Sequence, residues 1–220
     1  MIEYNKPITA EAFERGITHP DFYVRQMMWR NDWEPTAEQV ERGLDDENEM
    51  VISAVWCNKR WLPTQSQIED GIRSLYKSVK GCVWSNRQWT PNTDQLIWGV
   101  SDSKEYIRRL VWERDDWVPT EPFLFIGLND REAAIRTQVW KNNNWTARIK
   151  QFELGLADPD WWVRKAVWER EDFEPTAEQI NQGLQDEEVS VVKAVNEKQK
   201  HLLQKKAQLG HGEGWIGSVL

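Results

Sequence analysis

Cysteine and histidine are scarce in this chain, with two Cys and three His among 220 residues. Two cysteines cannot build a disulfide framework, so a reducing compartment is the expected setting. Cys57 and Cys82 hold different places in their local sequence, and core or surface filling is their expected role. His19, His201 and His211 neither recur nor pair with Cys or Asp at metal-ligand spacing, so no metal is expected. No apolar run approaches the ~18 residues of a membrane span. The N-terminus lacks the basic start and apolar stretch of a secretory signal. A phosphate loop, a nucleophile elbow and a zinc-helix motif are also missing. With no such concentration of chemistry, the expectation is a non-enzyme with no catalytic residue and no cofactor. Positive charge is in deficit too. Lys and Arg number 28 against 36 Asp and Glu, a net charge of −8, which argues against a general nucleic-acid binder.

Tryptophan, by contrast, is abundant, with fifteen where an average chain of this length holds about three. Its spacing is regular. Trp33, Trp61, Trp89, Trp117, Trp145 and Phe173 follow one another at 28 residues. A second column reads Trp29, Trp56, Trp84, Trp112, Trp140 and Trp168. Thirteen residues before it stands a glycine column: Gly16, Gly43, Gly71, Gly99, Gly127, Gly155 and Gly183. Pro35, Pro63, Pro91, Pro119 and Pro175 follow the aromatic column, with Ala147 as the exception. Columns in phase over residues 7 to 202 define seven repeats.

Each repeat predicts two short helices. The first begins after the proline, at Thr36-Ala37-Glu38-Gln39 or Thr176-Ala177-Glu178-Gln179, a capping-box pattern. It carries an i, i+4 apolar pair such as Val40 and Leu44, or Ile68 and Ile72. The glycine before the second member marks a close helix approach or a helix end. Asp46, Asp102, Asp130, Asp158 and Asp186 come three residues later and are expected to cap the second helix. That helix, with Val163, Ala166 and Val167 inward, should end near the first tryptophan. One such hairpin cannot bury its own apolar face, so the repeats must stack into a solenoid.

The segment Asp158-Pro159-Asp160-Trp161-Trp162-Val163-Arg164-Lys165-Ala166-Val167 resembles the second helix of HEAT-like repeats and leucine-rich-repeat variants. The six-residue spacing recurs in Asp102 and Arg108, Asp130 and Arg136, and Asp158 and Arg164. The resemblance implies a polar ladder of such pairs between neighbouring units. The unit here is shorter than a HEAT unit, and the tryptophan columns are not that family's pattern. The repeats also resemble those of uncharacterised tailed-phage proteins, which would place the chain in the cytoplasm or inside an assembly such as a virion. The expected fold is thus all-α, a HEAT-like α-solenoid of seven two-helix repeats forming a single right-handed superhelix. It would occupy residues 1–202. Residues 203–220 would be a helical extension and a Gly-rich tail, with residues 197–206 prolonging the last helix.

Two readings of the tryptophans stand open. One is a buried aromatic spine with indole N–H groups bonded to loop carbonyls. The other is an exposed groove that stacks bases or sugars. Their presence in every unit favours the spine. Arg108 and Arg164, one turn before Trp112 and Trp168, could lie over the indoles. Arg25, Lys80, Arg108, Arg136 and Arg164 could form a phosphate stripe, but their Asp partners favour neutralised structural pairs. Asn196 and His201 replace aromatics in the seventh unit, as a polar end cap would.

The repeats differ most at the two positions before glycine. These read Glu14-Arg15, Glu41-Arg42 and Glu69-Asp70, then Ile97-Trp98, Phe125-Ile126 and Glu153-Leu154, and finally Asn181-Gln182. The capping glutamine becomes Phe123 in the fifth unit. Ile97, Trp98, Phe123, Phe125, Ile126 and Leu154, with Trp215 and Ile216 of the tail, are therefore the expected partner-binding residues. The expected function is a non-enzymatic protein-interaction scaffold, binding a protein partner or a second copy, with no membrane and no nucleic acid involved. The alternative, by resemblance to HEAT-like DNA glycosylases, is a nucleic-acid binder. It would need free cations on the concave positions Gln26, Ser53, Gly81, Arg109, Thr137, Lys165 and Lys193, and only three of the seven are basic.

Overall fold

The computed structural model describes residues 8–210. Among them lie fourteen helices and no strand, an α-solenoid array of seven two-helix repeats. The helices fall into two compact units divided between Trp117 and Val118. The first unit holds four repeats: α1 (Ala10–Ile17) with α2 (Phe22–Trp29), α3 (Ala37–Leu44) with α4 (Glu49–Cys57), α5 (Gln65–Ile72) with α6 (Lys77–Ser85), and α7 (Thr93–Val100) with α8 (Glu105–Trp112). The second holds three: α9 (Glu121–Leu128) with α10 (Ala133–Lys141), α11 (Ile149–Leu156) with α12 (Trp161–Glu169), and α13 (Ala177–Gly183) with α14 (Val189–Gly210). Within the first unit α2, α4, α6 and α8 pack in sequence, and within the second α10, α12 and α14 do the same. α14 runs unbroken through residue 202.

The first helices start where their caps predict. Thr36 with Gln39, Thr64 with Gln67, Asn92 with Gln95 and Thr176 with Gln179 form complete capping boxes. Where Phe123 replaces the glutamine, the N-cap Thr120 makes no side-chain hydrogen bond. The second helices start later than expected. Their N-caps include Asn48, Lys104, Glu132 and Asp160, two residues beyond the aspartate column. The column aspartates instead accept the N–H of the N-cap residue itself, as Asp46 does from Asn48 and Asp158 from Asp160, both at 2.9 Å. They brace the turn before the helix, because their carboxylates are needed elsewhere.

Tryptophan and glycine interlock to make the core. Trp29, Trp56, Trp84, Trp112, Trp140 and Trp168 are at most 3% exposed. The indoles of Trp29, Trp56, Trp84, Trp140 and Trp168 lie against the glycine of the next repeat. A Cβ on Gly99 would sit 2.5 Å from Trp84 Cζ2 and 2.6 Å from Val111 Cγ2. On Gly155 it would sit 2.5 Å from both Trp140 Cζ2 and Val167 Cγ2. No described glycine has positive φ, so the column serves close approach and not helix termination. The second aromatic column closes the ends of the even-numbered helices. Indole Nε1 of Trp61, Trp89, Trp117 and Trp145 donates to the carbonyls of Val55, Val83, Val111 and Val139 at 2.9–3.2 Å. Each bond gives a second donor to a helix-end carbonyl that already accepts the backbone N–H three residues on, from Asn58, Asn86, Arg114 and Asn142 in turn. The acceptors are thus helix-end carbonyls. In the first column Trp29 and Trp84 find no Nε1 partner among the described residues.

Candidate interaction surface

The polar ladder runs between repeats, but its carboxylate is not the one six residues upstream. Arg136 grips Asp158 of the next repeat with Nε and Nη2, at 2.7 and 2.8 Å, and Arg164 grips Asp186 at the same distances. In the first unit Arg25 holds Asp46, and Lys80 reaches Asp102 at 2.7 Å. The upstream aspartate offers only its backbone: Arg108 donates to Asp102 O, Arg136 to Asp130 O and Arg164 to Asp158 O, each at 2.9 Å. The hydrogen bond from Arg164 holds Asp186 below the usual carboxylate range, against opposing burial and with help from the Glu188 N–H. Asp46 raises the Arg25 pKa, and Asp158 that of Arg136, in the same way. Arg25, Arg136 and Arg164 are thus bound into the fold through these carboxylates.

A second ladder escaped the sequence reading. Two residues after the first-column tryptophans from Trp56 to Trp168 stand Asn58, Asn86, Arg114, Asn142 and Arg170, with Lys198 at the equivalent place in the last repeat, all buried. The side chains of Asn58, Asn86, Arg114, Arg170 and Lys198 reach the backbone of the preceding repeat. Asn58 Nδ2 donates to Trp29 O and Trp33 O, and Asn86 Nδ2 to Trp56 O. Arg114 donates to Trp84 O, Asn86 O and Trp89 O, at 2.9, 3.0 and 2.6 Å. Arg170 repeats the pattern on Trp140 O, Asn142 O and Trp145 O, and its guanidinium lies 4.5 Å over the Trp145 ring. Lys198 donates to Arg170 O, and burial pulls its pKa down.

The two chemistries are balanced locally. Asn58, Asn86 and Asn142 each accept the N–H two residues on with their own Oδ1. An arginine has no acceptor, and Arg114 and Arg170 are instead followed at that distance by Asp116 and Asp172, which they bind. Asp172 also explains the missing proline, because the N–H of Ala147, which proline would lack, donates to it at 2.9 Å. Burial pushes the Asp172 pKa up, but Arg170 and Ala147 together hold it below the usual range.

The positions expected on a concave face do not form a cationic track. Gln26, Gly81 and Thr137 are buried, and Arg109 and Lys165 pair with Glu113 and Glu169 on their own helices. The exposed side chains of the second helices in the first unit include Tyr23, Met27 and Met50. Among the described residues no helix is long and apolar enough to cross a membrane, and no three His, Cys, Asp or Glu gather as a metal site.

The expected partner-binding residues separate by exposure. In the second unit Phe125 and Ile126 of α9 and Leu154 of α11 are exposed, Phe125 to 72%. Ile149, at the start of α11, is exposed as well. A Glu121–Arg148 ion pair at 3.0 Å joins the N-terminal ends of these two helices. Phe123 is a correction: it is buried, 7% exposed, because the position it takes from the capping glutamine faces inward. In the first unit Ile97 of α7 is exposed, while Trp98 is half-covered by the guanidinium of Arg73, 4.0 Å over its ring. Trp215 and Ile216 lie outside the described residues. At the end of the array Asn196 and His201 are exposed, as a polar cap requires.

No protein-family model matches the chain, and no curated protein does. Among solved structures the chain is similar to "a leucine-rich repeat variant with a novel repetitive protein structural motif", at 22% identity and a TM-score of 0.62, over 87% of this chain and 72% of that one. That likeness establishes the repeat-solenoid architecture of the chain.

Proposed function

We propose that the chain is a non-enzymatic interaction scaffold, and that its partner is another protein docked on the first-helix face of the second unit. The observation that carries this reading is Phe125, a phenylalanine left 72% exposed at a position that is glutamate in four of the seven repeats. The solenoid itself does not need an apolar residue there. Burying one such side chain yields about 1.5–3 kcal/mol. Association costs at least about 4 kcal/mol, so one anchor is not enough. Phe125, Ile126 and Leu154 together supply the surplus, and the Glu121–Arg148 pair gives the face a polar margin.

The test replaces Phe125 with Lys and Leu154 with Glu in one chain. A photo-crosslinker at Phe125 in the parent should trap a protein, identified by mass spectrometry, and the double variant should lose that protein in pull-down while melting as the parent does. Trapping of a second copy of the chain would make the partner a homo-oligomer. Unchanged capture by the double variant, or its unfolding, overturns the reading.

A further inference from the structure

The two cysteines were expected to be filler, and the fold brings them together. Cys57 is the last residue of α4 and Cys82 lies in α6, and their sulfurs are 3.3 Å apart. They are free thiols, farther apart than the ~2.0 Å of a bond but within reach of one by small side-chain rotations. Their separation of 25 residues is three short of the repeat, about one helical turn, which sets them side by side on two stacked helices. Cys57 is exposed and Cys82 is partly covered. One thiol can therefore meet a reagent from solvent, and the other waits behind it.

We propose that Cys57 and Cys82 form a thiol–disulfide exchange site, in which Cys57 attacks a low-molecular-weight disulfide and Cys82 resolves the product into an internal disulfide clamping α4 to α6. The Cys57 thiolate attacks one sulfur of the small disulfide, the S–S bond breaks, and one small thiolate leaves with the electron pair. Cys82 then gives its proton to solvent and attacks Cys57 Sγ, expelling the second small thiolate. Two protein thiols are oxidised to one disulfide, and the small disulfide is reduced to two thiols. An excess of small thiol runs the same steps backwards. The electrostatics agree with this division of labour. A hydrogen bond from Cys82 and the positive charge of Arg30 lower the Cys57 pKa to about 7 against the effect of burial. The same pairing and burial push the Cys82 thiol up, so it stays protonated until it is needed.

The test uses the full reduced chain under native conditions with oxidised glutathione as probe. The parent should lose about 2 Da, the two thiol hydrogens, and both reactive thiols. Its digest should contain a peptide linking Cys57 to Cys82. Cys82→Ser should stop at a glutathione adduct on Cys57. Cys57→Ser should react at Cys82 more slowly by roughly tenfold or more. The linked peptide is read on the parent, so poor folding of a variant cannot mask the result. A parent that keeps the glutathione adduct, that cross-links between chains, or that retains two free thiols overturns the proposal.

Discussion

The guanidinium of Arg114 lies 4.6 Å above the ring centroid of Trp89 and donates to the carbonyl of that same residue at 2.6 Å. One fully buried side chain thus holds both faces of the joint between the third and fourth repeats, through the indole and the loop backbone. The two preceding joints do the same work with Asn58 and Asn86, which suggests how the contribution divides. Arg114→Ala should leave three carbonyls and Asp116 without their partner and cost about 3–5 kcal/mol. Arg114→Asn, the residue at Asn58 and Asn86, should recover part of this. Urea unfolding checks the order, and an asparagine variant no better than alanine would show that the cation and not the hydrogen bond holds the joint.

Two glycines make opposite predictions. A Cβ at Gly99 meets Trp84 and Val111, rigid groups in a packed core, so Gly99→Ala should cost about 1–3 kcal/mol or more. A Cβ at Gly81 meets Tyr106 Cε1 at 2.8 Å, and that tyrosine is 38% exposed and can swing aside. Alanine also favours the helix by about 1 kcal/mol, so Gly81→Ala should be neutral or slightly stabilising. Equal losses in the two melting curves would refute the distinction.

Acid should loosen the second unit through its paired carboxylates. Asp186 and Asp172 both lie below the usual carboxylate range when folded. The unfolded chain therefore takes up protons first. Their stabilisation is present above the ordinary carboxylate pKa of about 4 and is lost as pH falls through the folded value. Asp186→Asn should lower the melting temperature at neutral pH. The gap to the parent should narrow as the pH falls below the ordinary carboxylate range and through the lowered folded value of Asp186. A gap that stays constant with pH would mean that the Arg164 bond contributes through shape and not charge.

The repeat, the starts of its first helices and its spine were legible because each rests on a recurring residue type at one spacing. Tryptophan demands the same volume in every layer, and glycine is the only residue that leaves room for it. The second ladder was hidden because Asn58, Arg114 and Lys198 do one job with three chemistries, and only the backbone they reach shows the identity. The ladder arginines could be paired with an aspartate from the sequence, but six residues upstream and 22 downstream are equivalent choices until the helices are stacked. Cys57 and Cys82 fell out of register by one helical turn, which a search at the repeat period passes over. Phe123 misled because a phenylalanine in place of a capping polar residue reads as exposed, whereas the capping position itself faces the core.

The two tryptophan columns should answer differently to the same substitution. Trp84 is fully buried, and its Nε1 has no partner among the described residues, whereas Trp89 is 7% exposed and donates to Val83 O at 3.1 Å. Judged by burial alone, Trp84→Phe should be the more damaging change, since it opens the larger cavity. Hydrogen bonding reverses the order. Phenylalanine at 84 removes a buried donor that costs about 1–3 kcal/mol to leave unsatisfied, which offsets much of the cavity. Phenylalanine at 89 loses a made bond and leaves the Val83 carbonyl, at the end of α6, with the Asn86 N–H alone. Trp168 already packs on Phe173 in the position equivalent to Trp89, so the second column accepts the ring but not without this loss. Trp84→Ala, which regains nothing comparable to its lost volume, should cost about 3–5 kcal/mol. Equilibrium denaturation of the two Phe variants decides the matter. If Trp84→Phe proves the less stable of the pair, packing volume outweighs the orphaned indole in this spine.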